Sequence, residues 1–253
     1  MSESDSSGRT RKRSIQLNRA LYWISRHWLL VVTAAGALFV GLPWLAPLFM
    51  KLGWTDGGRI IYFVYSPLCH QMPQRSFFLF GGQPMYSMAE IQPVWPEIAD
   101  LFALRRFVGS DVMGWKVAWS DRMVSMYGGI VFWGMVYGAL RRRMKPLRWW
   151  WAAALLAPML LDGLSHMVSD VMGGVAGGFR YSNTWLAQLT GGVLGQEFYV
   201  GDKLGSFNSW MRLISGLLFG LAAVWMIYPY LNAEFARVGR QIVAKFEKAG
   251  LAL

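Results

Sequence analysis

Trp28-Leu29-Leu30-Val31-Val32-Thr33-Ala34-Ala35-Gly36-Ala37-Leu38-Phe39-Val40-Gly41-Leu42-Pro43-Trp44-Leu45-Ala46-Pro47-Leu48-Phe49-Met50 carries no charged side chain. A helix needs roughly 20 apolar residues to cross the hydrocarbon core of a bilayer, so this stretch reads as a membrane span. Outward from it, three more runs have similar length and character. Met123 to Leu140 and Leu213 to Ala233 are uncharged, and Trp149 to Val168 is interrupted by Asp162. A fifth apolar run, Ile60 to Gln74, is shorter and contains Pro67 and Pro73. The expected fold is all-α: a polytopic transmembrane helical bundle of about four spans plus a re-entrant or short fifth segment.

Composition agrees. Hydrophobic residues make up 55% of the chain and charged ones 15%, fewer charges than a soluble domain carries. The net charge of +11 falls in three blocks. Arg9, Arg11, Lys12, Arg13, Arg19 and Arg26 precede the first span. Arg141, Arg142, Arg143, Lys145 and Arg148 follow the second. Arg237, Arg240, Lys245 and Lys248 end the chain. Cationic blocks beside spans mark cytoplasmic flanks, so this charge implies no nucleic-acid partner. The first apolar run is too long for a signal peptide and reads as a retained span. Residues 1–20 are expected as a disordered basic cytoplasmic tail, 21–235 as the transmembrane domain and 236–253 as a second basic tail. A single cysteine, Cys69, excludes an intrachain disulfide framework.

With both termini inside an inner (cytoplasmic) membrane, residues 52–122 begin and end outside. The cluster Cys69 to Ser76 is then outside, as are Asp121 and Arg122 at the start of one span and Asp162, His166 and Asp170 toward the end of the next. Arg180, Asn183, Asn208 and Arg212 fall on the same side. One polar site on the extracytoplasmic face is the expectation.

Asp162, His166 and Asp170 are spaced i, i+4, i+8 and form one stripe on a helix. A carboxylate within a span needs a partner. Three readings stay open: a structural network in which Asp162 pairs with Arg122 or Arg75, an anion or lipid-headgroup site, or a metal site with Cys69 and His70. Zinc-type spacings are absent. Cys69-His70 is also a candidate thiolate–imidazole pair, although adjacent residues rarely face each other and a lone membrane cysteine commonly serves as packing. Arg75 suits forked contact with phosphate or carboxylate.

Other features have plainer readings. Trp23, Trp28, Trp44, Trp54, Trp115, Trp119, Trp149, Trp150 and Trp151 mark span ends as an aromatic belt, and His27 is an interfacial anchor. Pro43 and Pro47 are expected to kink the first span. Asn183-Thr184-Trp185-Leu186 recurs 25 residues later as Asn208-Ser209-Trp210-Met211. The second copy is expected to cap a helix, the first to form a half-length helix, and Gly173 to Gly178 to form a flexible hinge.

Cys69-His70-Gln71-x-Pro73-x-Arg75-Ser76-Phe77 resembles the signature of an uncharacterised prokaryotic integral membrane family, domain of unknown function 2085. Arg122, Tyr127 and Gly129, then Asp162-Gly163, then Asn208, Arg212, Ser215 and Gly216 resemble its later motifs over about residues 55–230. Ser120 and Met123 stand where the family tends to carry cysteines, which weakens metal or thiol chemistry here. The resemblance implies a site and no reaction.

The ligand-binding set expected on these grounds is Gln71, Arg75, Ser76, Arg122, Tyr127, Asp162, Gly163, His166, Asp170, Asn208 and Arg212. Arg75, Arg122 and Arg212 would hold an anionic lipid headgroup or lipid-linked phosphate, and Asp162 and His166 would position it or shuttle a proton. No cofactor is expected. Membrane lipids are the expected partners. A non-catalytic role as accessory subunit beside other membrane subunits, and a metal or thiol site at Cys69-His70, are the alternatives.

Overall fold

A computed structural model describes residues 3–97, 101–141 and 143–253, with side chains from residue 9 onward. Arg142 of the basic turn lies outside the described residues. Helix α1 spans Glu3–Lys51 and α2 spans Thr55–Tyr65. An irregular layer follows: a 3-10 turn at Pro73–Arg75, strand β1 at Ser76–Leu79, α3 at Met88–Ile91, α4 at Leu101–Arg106, β2 at Gly109–Ser110 and β3 at Gly114–Ser120. Helix α5 covers Asp121–Leu140 and α6 covers Trp149–Gly173. Three short helices, α7 at Phe179–Ser182, α8 at Thr184–Thr190 and α9 at Gln196–Tyr199, lead into α10 at Phe207–Lys248.

Among the described residues, α1, α5, α6 and α10 are long and apolar enough to cross a membrane, the four spans read from the sequence. The fifth apolar run resolves into α2 and the turn after it. With 11 residues, α2 is about 16 Å long at the α-helical rise, well short of a span. It packs on the end of α1, where Tyr62, Tyr65 and Cys69 join Ala46, Met50 and Trp119 in one core.

The three-stranded sheet, order β1-β3-β2 and antiparallel throughout, is an addition to the all-helical expectation. Strand β3 runs without a break into α5, so the sheet layer sits against one end of the helices and fixes where α5 begins.

Helices α5 and α10 approach closely because small residues line their contact. A Cβ on Gly220 would lie 2.6 Å from the backbone carbon of Gly129, and one on Gly216 would lie 2.9 Å from the Met126 nitrogen. The approach lets Ser125 donate to the Leu213 carbonyl and Trp133 Nε1 donate to the Leu217 carbonyl at 3.1 Å.

Disorder is expected of residues 1–20, but α1 is helical from Glu3. The second basic tail, 236–253, continues α10 to Lys248. The two helices pair beyond the span: Trp28 stacks on Phe235 at 5.5 Å, and a Cβ on Gly239 would be 3.1 Å from Ser25 Oγ. Ile242 and Phe246 near the end of α10 are buried. The break in α1 falls at His27 (φ −117°, ψ 18°) and not at Pro43 or Pro47. There the ring stacks on Trp23 and Nδ1 bonds the Trp23 carbonyl at 2.9 Å.

In the second repeat copy the cap is Ser206, whose side chain accepts from the Ser209 N–H; Asn208 is already inside the helix. The first copy forms α8, seven residues long. The two asparagines meet, with Asn183 Nδ2 donating to Asn208 Oδ1 at 3.3 Å. The expected glycine hinge is a tight turn: a Cβ on Gly178 would lie 2.2 Å from Ser169 Oγ.

Gly220→Val forces apart a backbone contact and is expected to cost about 3 kcal/mol, the scale of core overpacking. Gly128→Ala, with nothing within 4 Å of its Cβ position, is expected to be neutral. Thermal unfolding in detergent reads both.

Candidate functional site

Ionisable side chains from six separate segments converge where α5 and α10 begin and α6 nears its end. Asp121 and Arg122 open α5 directly after β3. Asp162, His166 and Asp170 form the expected stripe on α6. Arg75 closes the 3-10 turn, Arg180 comes from α7, Asp202 from the loop after α9, and Arg212 from the second turn of α10.

They form two sets. In the first, charges alternate along Asp170, Arg75, Asp202, Arg212 and Asp121. Arg75 forks onto Asp170 through Nη1 and Nη2 at 3.2 and 3.3 Å and bonds Asp202 through Nε at 2.9 Å. Arg212 bonds Asp202 through Nη1 at 2.7 Å and Asp121 through Nε at 2.7 and 2.9 Å. In the second, Asp162 lies between Arg122 Nη2 at 2.5 Å and Arg180 Nη2 at 2.6 Å. His166 Nε2 is 3.3 Å from Arg180 Nη2.

Asp121, Asp162, Asp202 and Arg212 are each at most 3% exposed. At such depth a charge persists only when paired and hydrogen-bonded. Burial works against the charge of Arg75, but Asp202 and Asp170 outweigh it and hold the guanidinium above its ordinary range. Burial likewise opposes ionisation of Asp202, and Arg75 and Arg212 overcome it, keeping the carboxyl well below its usual range.

This network floors a cavity of about 440 Å³. Its polar wall comprises Cys69, His70, Gln71, Arg75, Ser120, Arg122, His166, Asp170 and Arg212. Its apolar wall is Met72, Leu101, Met123, Met167, Val171 and Val175. Of these, Leu101, Met167 and Val171 are exposed, and on α6 they continue the exposed stripe of Leu160, Leu161, Leu164, Val168 and Met172. The cavity therefore joins a charged floor to an apolar outer face. Arg122 Nε and His166 Nδ1 are buried without a hydrogen-bond partner.

The remaining expected residues fall beneath or beside the cavity. Asp162 is under it, clamped between two arginines. Gly163 supports it from below: a Cβ there would be 3.2 Å from Arg122 Nη1, so glycine lets the guanidinium lie along α6. Asn208 is fully buried and donates to the carbonyls of Arg180 at 2.6 Å and Gly201 at 2.9 Å. Ser76 turns back to the Met72 carbonyl at 2.9 Å. Tyr127 packs edge-on to Phe39 and beside Trp119. The structural partner foreseen for Asp162 is Arg122; Arg75 instead serves Asp170 and Asp202, so its forked contact is occupied by the protein's own carboxylate.

Cys69 is buried. Its sulfur accepts the N–H groups of Gln71 at 3.3 Å and Ser120 at 3.4 Å, a packing and turn-closing role, while His70 is exposed where it lines the cavity. Among the described residues, no three His, Cys, Asp or Glu side chains are grouped to hold a metal ion.

Gln71 adopts φ +51°, a left-handed conformation that costs a non-glycine residue about 1–2 kcal/mol. Its side chain donates to the Tyr62 carbonyl at 2.9 Å, and its own carbonyl receives Lys116 Nζ at 2.7 Å. Lys116 also donates to the Arg105 carbonyl at 2.6 Å. The amine is wholly buried, and its pKa falls to about 7; burial is the main cause, Cys69 pulls the other way and Arg105 adds to the fall.

Asp202 and Lys116 escaped the sequence reading. Asp202 sits in a Gly-Asp-Lys turn and has no helical periodicity to mark it. Lys116 lies within Trp115-Lys116-Val117-Ala118-Trp119, which lacks alternation, and β3 buries it beside Val117, Ala118 and Trp119. Asp121 and Arg180 were legible only as polar residues on the expected face.

Residues 111–200 match the family model described as Predicted membrane protein (DUF2085). The match includes Arg122, Asp162, His166, Asp170 and Arg180, while Cys69 to Ser76, Asp202 and Arg212 fall outside it. Uncharacterized protein MJ1492 of Methanocaldococcus jannaschii is 26% identical over 178 residues, covering 67% of this chain and 86% of that protein. No solved structure matches the chain. With its four long apolar helices, the chain is similar to membrane proteins in both sequence and architecture.

Asp202→Asn leaves Arg75 and Arg212 short of a buried partner and is expected to cost about 3–5 kcal/mol, read by unfolding in detergent. Lys116 yields a pH test. The unfolded amine keeps its proton to 10.5 and the folded one to about 7, so between those values the unfolded chain binds more protons and stability rises with pH. Melting temperature is expected to climb from about pH 7 to about pH 9, and Lys116→Met to flatten the climb.

Proposed function

We propose that the protein binds the phosphate-bearing headgroup of a membrane lipid, with the headgroup in the cavity and its acyl chains leaving between Leu101, Met167 and Val171. The observation that carries this reading is the cavity's lateral apolar mouth. A site for a water-soluble anion has no use for a charged floor that opens onto an exposed apolar helix face. A lipid matches both walls at once.

The phosphate contact falls to Arg122 and His166. Arg75 and Arg212 are saturated by aspartates and act by positioning: they hold α6, α10 and the 3-10 turn together so that the floor is rigid. Arg122 spends Nη2 on Asp162, yet its side chain stays 17% exposed and lines the cavity, a fork ready for an oxygen. The basic ends of α1 and α10 and the Arg141 to Arg148 turn support an orientation with both termini cytoplasmic. The cavity then lies at the extracytoplasmic end of an inner-membrane protein.

Arg122→Lys keeps a cation beside Asp162 but removes the planar guanidinium fork. Bound lipid is expected to weaken about tenfold, the scale of one charge-assisted hydrogen bond. Native mass spectrometry of wild type and variant from the same membranes measures this. Equal lipid occupancy in the two would contradict the assignment of Arg122.

A further inference from the structure

The two ionic sets under the cavity are not individually neutral. Arg122 and Arg180 share one carboxylate, Asp162, which leaves that set one positive charge in excess. Arg75 and Arg212 are shared among Asp121, Asp170 and Asp202, which leaves that set one negative charge in excess. Together the four arginines and four aspartates balance.

Each excess reaches the cavity at a different place. The positive one surfaces at Arg122, beside His166, a side chain 4% exposed whose Nδ1 has no partner. The negative one surfaces at Asp170. Its side chain is 24% exposed, against at most 2% for the other three aspartates. Asp170 lines the cavity and the others do not.

We propose that the ligand is zwitterionic: a phosphate diester carrying a primary ammonium, with the phosphate at Arg122 and His166 and the ammonium at Asp170. This rests on the headgroup reading above and narrows it. A net-neutral ligand leaves the buried charge balance unchanged, whereas an anionic headgroup places uncompensated negative charge beside Asp170 in a poorly solvated site. The ammonium is primary because Asp170 offers carboxylate acceptors that call for N–H donors. A quaternary ammonium would want the face of a Trp, Tyr or Phe ring, and none of the described lining residues is one of these. The same chemistry exists in an aminophospholipid and in its water-soluble glycerophosphate ester. The apolar mouth favours the lipid.

Calorimetric titration of the full-length protein in mild detergent decides the matter. The probes are short-chain phosphatidylethanolamine, phosphatidylglycerol and phosphatidylcholine, with glycerophosphoethanolamine as the soluble arm. Phosphatidylethanolamine is expected to bind about tenfold tighter than either other lipid, the effect of a single ammonium–carboxylate pair. Asp170→Asn is expected to bring ethanolamine and glycerol headgroups to near-equal affinity. The wild-type preference decides alone if that variant does not fold. Phosphatidylglycerol binding as tightly as phosphatidylethanolamine, or tighter, overturns the zwitterion and leaves the lipid reading standing. Glycerophosphoethanolamine binding as tightly as the lipid overturns the lipid source and leaves the zwitterion standing. Binding of no probe overturns both.

Discussion

Asp162 lies in the middle of α6, where an apolar environment would reject a lone carboxylate. Arg122 and Arg180 reach it from opposite elements, at 2.5 and 2.6 Å, and supply the partners it needs. That requirement fixes the rotation of α6 about its axis, the start of α5, and the return of the chain after the Gly173 to Gly178 turn. Gly163 follows from it, since the guanidinium of Arg122 must lie against α6. So does Asn208, which holds the Arg180 carbonyl and thereby the clamp's second arm.

The second ionic set extends the same logic to the other elements. Arg75 and Arg212 tie the sheet layer to α6 and α10 through Asp170, Asp202 and Asp121. Buried ion pairs of this kind contribute little net stability compared with apolar packing, yet removing one partner is costly. The network therefore acts as a specification of geometry, and the small-residue contact of α5 with α10 supplies the packing. A rigid floor of shared ion pairs, with Arg122 reaching the cavity, suits recognition of an oxygen-bearing ligand better than it suits a moving gate.

Much of this was legible in the chain. Length and apolarity identify the four spans, because the bilayer sets both. The i, i+4, i+8 spacing places Asp162, His166 and Asp170 on one stripe, and the basic flanks bring the polar ends to one side. What the spacing does not reveal is partner choice. Arg75 was legible as a forked donor, but its acceptor is Asp170, 95 residues away. Asp202 comes from a turn with no periodic signature. Strand β3 was hidden because Trp115 to Trp119 is buried on both faces and lacks alternation. The helical start of α1 was hidden because its basic, polar composition carries no apolar stripe to mark a helix.

The central claim is that a lipid phosphate completes the arginine–aspartate floor through its side opening. A structure of the protein in native-lipid nanodiscs tests it most directly. Phosphate density is expected within hydrogen-bond distance of the Arg122 guanidinium, with acyl density leaving past Met167 and Val171. A cavity filled by water alone, with lipid ordered only around the outside of the helices, would contradict it.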